Sequence, residues 1–455
     1  MGMKRVVVVG GGPAGAATAK ALADKGCDVQ LFEAYPHPDK IHKNAPKAYV
    51  IALGQRGQDG LQRSTGIDPL QIPNSIVSTH MVRHPKNNVR KHDKTPSLII
   101  PRKVLAAQVL DAAKAAGVQI NFEYRLMDIK FDQQIAIFEG HGGVVTKHVP
   151  YDLLVGADGS KSKVRSLLNQ NVNEFKVMRT EEDSMEYQVA VIPPPFPFSG
   201  MPETSVHAWN DKKYNSICLA FPLANNGGLL FAIVYPEGKL SEFKEKHRID
   251  GTGYDDPLFH LMPDLTDVVK EEFVKQLEAG EPANGGTCVW CNSLGSPKHG
   301  VALVGDSGHG MWPSLGQGAN CALESAAVFS ETVGDIVAGK VTLAGKSWGE
   351  VVVEEFNKRR HADALAAVDL TYGGIGARKS RGRNNAPLSY KAQVVGMMLL
   401  NKLTLGIVPK PALIRLMMGQ PVPYSTARKW NFIYEKLVCL GAVLMITVAL
   451  VLYKF

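Results

Sequence analysis

Cysteine is scarce in this sequence, with six scattered cysteines in 455 residues. A disulfide-stabilised secreted scaffold, which concentrates cysteines in a short chain, is therefore excluded. Cys288 and Cys291 have CxxC spacing, but no second Cys/His pair follows at ligand spacing and the pair does not open a helix after a strand. We expect two half-buried thiols on a strand, and we predict no metal site.

Acidic residues are scarce in the last fifth of the chain. Residues 356–455 contain 15 Lys and Arg but only three acids, a net +12, so the first 355 residues sum to −4 within the total of +8. Apolar residues make up 45% and charged residues 21%, as in ordinary globular proteins. Because the basic excess is confined to one end, the sequence predicts no nucleic-acid partner for the main body.

Long apolar runs are absent except at the carboxyl end. Residues 437–453 contain no charge and lie between Lys436 and Lys454. A helix over this run would be about 25 Å long, at the short end of what spans a bilayer. We predict a transmembrane tail anchor, with a buried core helix as the alternative. Short anchors with basic flanks suit thin membranes, which favours the mitochondrial outer membrane, with the endoplasmic reticulum as the alternative.

The amino-terminal sequence predicts a strand, a glycine-rich loop, a helix and a second strand. Gly10, Gly12 and Gly15 fit the G-x-G-x-x-G pattern after an apolar run. The first glycine allows a tight turn, the second lets the backbone approach a pyrophosphate, and the third lets the helix pack on the strand. Glu33 ends the second strand, where an acid can accept a hydrogen bond from a ribose hydroxyl. The sequence therefore predicts a binding site for FAD or NAD.

Two later motifs place an acid next to a glycine at the end of a strand-like run. The first contains Asp158 and Gly159, and the second contains Asp306 before a glycine-rich helix entry. Asp306 can accept hydrogen bonds from a ribityl chain. The amides around Gly316–Gly318, at a helix N-terminus, can stabilise negative charge on a reduced flavin ring. The order of these motifs favours FAD over NAD.

With these motifs in this order, residues 4–370 resemble the class A FAD-dependent aromatic monooxygenases, which have the p-hydroxybenzoate hydroxylase-type fold. The resemblance implies FAD as cofactor and NADPH as co-substrate, without a second Rossmann unit. It also implies that O₂ reacts to give a flavin C4a-hydroperoxide, which hydroxylates a small aromatic substrate. Matched motif by motif, the resemblance implies that the AMP half of FAD is held by Gly10, Gly12, Gly15 and Glu33, and that Arg102 lies near the flavin. It implies that the pyrophosphate and NADPH contact Asp158 and Gly159, and that Asp306 holds the ribityl chain. The isoalloxazine ring is then lined by Pro313, Gly316, Gln317, Gly318 and Asn320.

The predicted fold is therefore α/β, with a Rossmann-type FAD-binding domain, an antiparallel β-sheet substrate domain and a C-terminal helical membrane anchor. Alternating polar and apolar stretches such as residues 185–192 and 216–221 predict the antiparallel sheet. We assign residues 1–185 to the FAD-binding domain, with a substrate-side insertion at about 45–100, and residues 186–290 to the sheet domain. Residues 291–370 form the second part of the FAD-binding domain. Residues 371–436 form a basic helical membrane-proximal region, and residues 437–453 form the anchor.

Within this family the resemblance is greatest to the kynurenine 3-monooxygenases, through residues 51–57, 185–187 and 363–371 and through the tail. His309, which could act as an acid or base, is expected to be structural, because this chemistry needs no side-chain nucleophile. A flavin halogenase or an isoprenoid reductase on the same fold is an alternative, although the halogenase WxWxIP signature is absent. A third alternative is a non-catalytic binding protein like the prenyl-GTPase escort proteins. Such a protein would not need every flavin motif, and this sequence keeps each of them, so we favour the enzyme.

The resemblance fails at the substrate carboxylate. The kynurenine 3-monooxygenases hold it with an Arg, an Asn and a Tyr, and the corresponding positions here are His80, Gly374 and Leu416. Losing three donors at about 1.5–3 kcal/mol each leaves two alternatives, a shifted register in these divergent segments or a different, less polar substrate, and we favour the second. The predicted substrate residues are His80, Arg83 and Tyr187.

Overall fold

In the computed structural model of the protein, the described residues are 3–40, 50–84, 90–194, 203–211, 216–225, 227–239, 242, 267–373, 388–406, 422–430, 433 and 436. Gly374, Leu416 and the predicted span 437–453 lie outside them. Among the described helices, none combines the length and apolar character needed to cross a bilayer.

The strands within these ranges, in chain order, are β1 (Arg5–Val9), β2 (Asp28–Glu33), β3 (Val50–Leu53), β4 (Ile76–Arg83), β5 (Arg90–Pro101), β6 (Gln119–Phe122), β7 (Tyr124–Lys130), β8 (Ile135–Gly140), β9 (Val145–Pro150), β10 (Leu153–Gly156), β11 (Val177–Glu182), β12 (Met185–Ile192), β13 (Val206–Asp211), β14 (Ser216–Pro222), β15 (Leu229–Pro236), β16 (Ala283–Asn284), β17 (Thr287–Cys291), β18 (Gly295–Ser296) and β19 (Val301–Leu303).

The helices are α1 (Pro13–Ala23), α2 (Gln55–Thr65), α3 (Arg102–Ala115), α4 (Lys163–Asn171), α5 (Asp267–Ala279), α6 (Asp306–His309), α7 (Gly318–Val337), α8 (Trp348–Gly373) and α9 (Leu388–Leu403). A further helical stretch covers residues 424–430. The predicted strand–loop–helix–strand start is confirmed, as is the helix that follows the third motif.

A six-stranded sheet of order β18-β19-β10-β1-β2-β6 forms the centre of the first layer. Its strands are parallel except for the edge pair β18–β19. The four valines of β1 are almost completely buried, because helices or other strands cover both faces of a parallel sheet. The register aligns the ends of β1, β2, β10 and β19, so their carboxyl ends meet at one edge. Ligands of such sheets bind at this edge.

An eight-stranded sheet of order β16-β12-β15-β14-β13-β4-β5-β3 forms the second layer. It combines strands of the predicted insertion with strands from residues 185–284. One face packs on α5 through Phe273 and Leu277, which share a core with Trp209 and Phe231. The other face, which we expect to line the substrate site and therefore call the site face, carries an apolar cluster of Val50, Ala52, Met81, Ile99, Val189, Val206, Phe221, Leu223, Leu230 and Ala232.

Two smaller sheets complete the described part of the chain. Strands β7, β8 and β9 form an antiparallel three-stranded sheet in this order. Strands β11 and β17 form a separate antiparallel pair. Cys288 and Cys291 lie on β17 and are free thiols, as predicted, but they are fully buried and not half-buried. Burial raises the pKa of both thiols to about 12, so neither is a reactive thiolate.

Candidate active site

The glycine loop after β1 leaves open space at the start of α1. Gly10 has φ +105°, and a Cβ there would lie 2.4 Å from the carbonyl oxygen of Ala157. A Cβ on Gly15 would lie 2.1 Å from the carbonyl oxygen of Gly10, so these two glycines are required by the protein's own packing. A Cβ on Gly12 would meet nothing within 4 Å, and no side chain caps the helix. The loop therefore fits a pyrophosphate at the N-terminus of α1.

Glu33 lies beside this loop at the end of β2. One carboxylate oxygen accepts a hydrogen bond from the amide of Gly11 at 2.6 Å and the other accepts from the amide of Tyr35 at 2.9 Å. These bonds fix the carboxylate against the loop. Each oxygen has a further lone pair, so the fixed carboxylate can still accept from a ribose hydroxyl.

The Asp158 side chain is held by protein groups in this structure. It accepts hydrogen bonds from the Ser162 hydroxyl and the Lys163 amide at 2.6 Å each, and from the Ser307 hydroxyl at 3.1 Å. It thereby secures the start of α4 and joins the ends of β10 and β19. Gly159, with φ +82°, has open space where a Cβ would lie. Asp158 thus shapes the strand end at which we predict the pyrophosphate and NADPH.

Asp306 follows β19 on the same edge of the sheet. Burial raises the pKa of its carboxyl, and the guanidinium groups of Arg102 and Arg165 oppose that rise. Asp306 as a whole is half-buried. Arg102, the first residue of α3, is therefore close enough to influence Asp306 electrostatically. The structure brings together these two predicted cofactor residues from positions 204 residues apart along the chain.

The loop before α7, which we call the flavin loop, comprises residues 313–318. Its first three residues form a 3₁₀ turn that begins at Pro313, and Gly316 follows with φ +61°. No side chain caps α7 at Gln317, and a Cβ at Gly316 or Gly318 would meet nothing within 4 Å. The 20-residue helix therefore presents its positive N-terminal end to open space. This arrangement can stabilise a developing negative charge on a ring bound there.

Asn320 supports the flavin loop by binding backbone groups. The side chain is buried, and its amide nitrogen donates to the carbonyl oxygens of Ala52 and Gly316 at 3.1 and 2.9 Å. Its amide oxygen accepts from the amide of Gly54 at 2.9 Å. Asn320 thus ties β3 to the loop. We predicted that it lines the ring, and the structure gives it a supporting contact through Gly316.

His309 is buried behind the flavin loop. Its Nε2 lies 3.0 Å from the Ser325 hydroxyl, and its Nδ1 lies 3.8 Å from Cys321 Sγ. Burial, with a contribution from the nearby Arg360 guanidinium, lowers its pKa to about 3. The imidazole is therefore neutral near pH 7 and satisfied by core groups. This environment agrees with the structural role expected for His309.

Two buried histidines make the stability of the protein depend on pH. Burial lowers the pKa of His207 to about 4 and that of His309 to about 3, whereas an unfolded histidine titrates near 6.5. Below pH 6.5 the unfolded chain binds protons that the folded chain does not, so stability falls as pH falls. From pH 7 to pH 5 we expect each to cost roughly 2 kcal/mol.

Urea unfolding of the apoprotein at pH 7 and pH 5 measures this loss. His207→Gln should reduce the loss between the two pH values by about 2 kcal/mol, even if the variant is less stable at both. An equal loss in the wild type and the variant would contradict the assignment of His207 as a buried neutral imidazole.

The three predicted substrate residues do not form one cluster. Arg83 is exposed and lies two residues from Met81, and Tyr187 lies two residues from Val189. Residues two apart in a strand share a face, so both lie on the site face. They are four strands apart, about 19 Å across the sheet. His80, adjacent to Met81, lies on the opposite face by strand alternation, so the three residues do not share one face. Of the predicted substrate residues, Arg83 provides a positively charged side chain on the site face.

Sequence reasoning missed a group of residues behind the flavin loop. The buried guanidinium groups of Arg56 and Arg360 both contact the carboxylate of Glu324. Arg56 also lies 4.0 Å from the ring of Tyr424, whose hydroxyl donates to Gln317. No local signal in the sequence reveals these pairs, although Arg56 lies within a segment that carries the family resemblance.

Comparison with known proteins agrees with this geometry. The FAD binding domain family matches residues 3–227. The kynurenine 3-monooxygenase of Christiangramia forsetii is 26% identical over 377 residues, which cover 81% of this chain and 79% of the relative. That of Candida albicans is 25% identical over 458 residues, covering 93% and 90%. The chain is an FAD-dependent monooxygenase.

A solved structure supports the fold of this monooxygenase. The tetrameric form of 2-methyl-3-hydroxypyridine-5-carboxylic acid oxygenase superposes with a TM-score of 0.58 at 22% identity, covering 84% of this chain and 98% of that one. The monooxygenase uses FAD. The open glycine positions and the uncapped helix ends of α1 and α7 fit FAD at the edge of the sheet.

Proposed function

We propose that this monooxygenase uses NADPH and O₂ to hydroxylate a small aromatic substrate of the kynurenine type. The observation that carries the proposal is the convergence of the glycine loop, Asp306 and the flavin loop on one sheet edge, in a chain whose relatives of that activity match over most of its length. FAD, when bound, supplies the oxygen chemistry, and the protein supplies binding, orientation and electrostatic stabilisation.

The chain's own groups have distinct tasks in this proposal. The N-terminus of α1 binds the pyrophosphate through Gly12, and Glu33 binds the ribose. The amides of the flavin loop stabilise negative charge on the reduced ring. The apolar site face excludes water from the reacting atoms. Arg83 is placed to bind an acidic group of the substrate by a charge-assisted hydrogen bond.

A less polar aromatic substrate is the second candidate. The site face is largely apolar, with Met81, Val189, Phe221 and Leu230 among its residues. A surface of this composition favours a substrate that gains most of its binding free energy from burial of apolar area.

A screen of NADPH oxidation tests both candidates. Kynurenine should stimulate NADPH consumption and yield a ring-hydroxylated product, and Arg83→Ala should raise its KM by about ten- to a hundredfold, because a charge-assisted hydrogen bond contributes about 1.5–3 kcal/mol. Arg63→Ala, at an exposed ion pair on α2, is the control and should leave KM unchanged.

The screen has two contrary outcomes. Stimulation by apolar aromatic compounds but not by kynurenine would favour the second candidate. If no aromatic compound stimulated NADPH consumption, the proposed function would be contradicted.

We further propose that residues 437–453 anchor the enzyme in a membrane, with the mitochondrial outer membrane favoured over the endoplasmic reticulum. The uncharged run, its flanking lysines and the net +12 of residues 356–455 support this proposal. Cell fractionation should recover the full chain with membranes and a chain ending at residue 436 in the soluble fraction. Equal recovery of both in the soluble fraction would refute the anchor.

A further inference from the structure

The segment 422–430, far along the chain from the flavin loop, packs directly behind it. Tyr424 and Ala427 are buried, with 1% and 2% of their surfaces exposed. They share an apolar core with Met311 and Trp312, which immediately precede the flavin loop, and with residues of α8. The segment is therefore part of the wall of the flavin site.

Polar contacts hold the segment in this position at both ends. The Arg56 guanidinium donates to the carbonyl oxygen of Val422. The carboxylate of Asp363 accepts a hydrogen bond from the Ser425 amide at 2.9 Å. Further along, the Arg428 guanidinium lies 2.9 Å from the carboxylate of Asp369. Contacts from α2 and α8 thus fix the backbone on both sides of Tyr424.

The Tyr424 side chain reaches the flavin loop itself. Its hydroxyl donates a hydrogen bond to Gln317 Oε1 at 2.9 Å, and Gln317 Nε2 donates to the carbonyl oxygen of Leu315 at 3.3 Å. The Gln317 amide is therefore bound on both sides. Gln317 is the N-cap of α7, yet its side chain caps none of the first-turn amides. With its oxygen held by Tyr424, it does not compete for those amides.

We propose that Tyr424 is a positioning residue of the flavin site, which holds the Gln317 side chain so that the amides of Gly316–Gly318 remain available to the isoalloxazine ring. The proposal rests on FAD binding and not on the identity of the aromatic substrate. A segment near the carboxyl end of the chain thus tunes the reduction of the cofactor. Loss of the hydroxyl should weaken the stabilisation of negative charge on the reduced ring.

Tyr424→Phe in the full-length holoenzyme tests this proposal, because it removes the hydroxyl and keeps the ring against Arg56. We expect the midpoint potential of bound FAD to become more negative, the visible absorbance bands of the flavin to shift, and the Kd for FAD to rise about two- to tenfold, as for one lost hydrogen bond. The matched control is Tyr151→Phe. Tyr151 is also buried, and its hydroxyl has no hydrogen-bond partner among the described residues.

A Tyr424→Phe holoenzyme with wild-type potential, spectrum and Kd would overturn the proposal, as would equal changes in Tyr151→Phe. If Tyr424→Phe does not fold, Gln317→Asn decides the matter, because the shorter carboxamide at this half-buried N-cap position no longer reaches the Tyr424 hydroxyl and is free to accept from the first-turn amides. It should shift the potential in the same direction, and an unchanged potential would overturn the proposal. Where both single variants fold, their combination should shift the potential no further than either alone.

Discussion

Gly12→Ala is expected to weaken FAD binding by roughly a hundredfold while the apoprotein stays within about 1 kcal/mol of the wild type. The added methyl group meets no protein atom within 4 Å, and the backbone at Gly12 has φ −66°, which alanine adopts without strain. The open space is where the pyrophosphate approaches the start of α1. Overpacking there costs up to about 3 kcal/mol, which corresponds to the stated loss of affinity.

Gly10→Ala provides the contrast for this experiment. Its added methyl would lie 2.4 Å from the Ala157 carbonyl oxygen at a φ of +105°, so the apoprotein itself should lose about 3 kcal/mol or more. Titration of both apoproteins with FAD, alongside urea unfolding, separates the two effects. Wild-type FAD affinity in Gly12→Ala would show that the pyrophosphate binds elsewhere.

Glu324→Gln is expected to lower the free energy of unfolding by about 3–5 kcal/mol. The Glu324 carboxylate neutralises two guanidinium groups, those of Arg56 and Arg360, whose side chains are only 6% and 2% exposed. Removal of its charge leaves two buried cations without their shared counter-charge. Because Arg56 also holds Val422, the segment behind the flavin loop should loosen as well.

The chain contains a matched control for this variant on the same two helices. Arg63 and Glu331 form an ion pair at 2.6 Å, seven residues further along α2 and α7, with both side chains more than 40% exposed. Glu331→Gln should cost less than about 1 kcal/mol, because water already solvates both charges. Urea unfolding of the two variants measures the difference. Equal costs would show that burial does not determine the contribution of the Glu324 cluster.

The cofactor side of the site could be predicted from the sequence because its signals are local. Gly10, Glu33, Asp158 and Asp306 each end a strand-like run, and parallel strands bring their carboxyl ends to one edge. Gly10 and Gly15 are required by backbone conformation and close packing, and a short sequence motif is enough to reveal such requirements. In the structure these strand ends lie at one edge of the sheet, as the motifs predicted.

The substrate side could not be predicted in the same way. The register between β4 and β5 shifts between Ser78 and His80, and an alignment without the structure cannot locate such an irregularity. A displacement of one residue in a strand exchanges the two faces, so the sequence alone does not determine which face His80 occupies. Tyr424 was missed because its partner Gln317 is 107 residues away and no periodic pattern links them.

The source of the oxygen atom in the product tests the central claim most directly. The purified, FAD-loaded enzyme is supplied with NADPH, ¹⁸O₂ and the substrate that most stimulates NADPH oxidation, and the product is analysed by mass spectrometry. A class A monooxygenase should place one ¹⁸O atom in each molecule of hydroxylated product and consume one NADPH for each. Product oxygen derived from water, or NADPH consumed without any oxygenated product, would contradict the account.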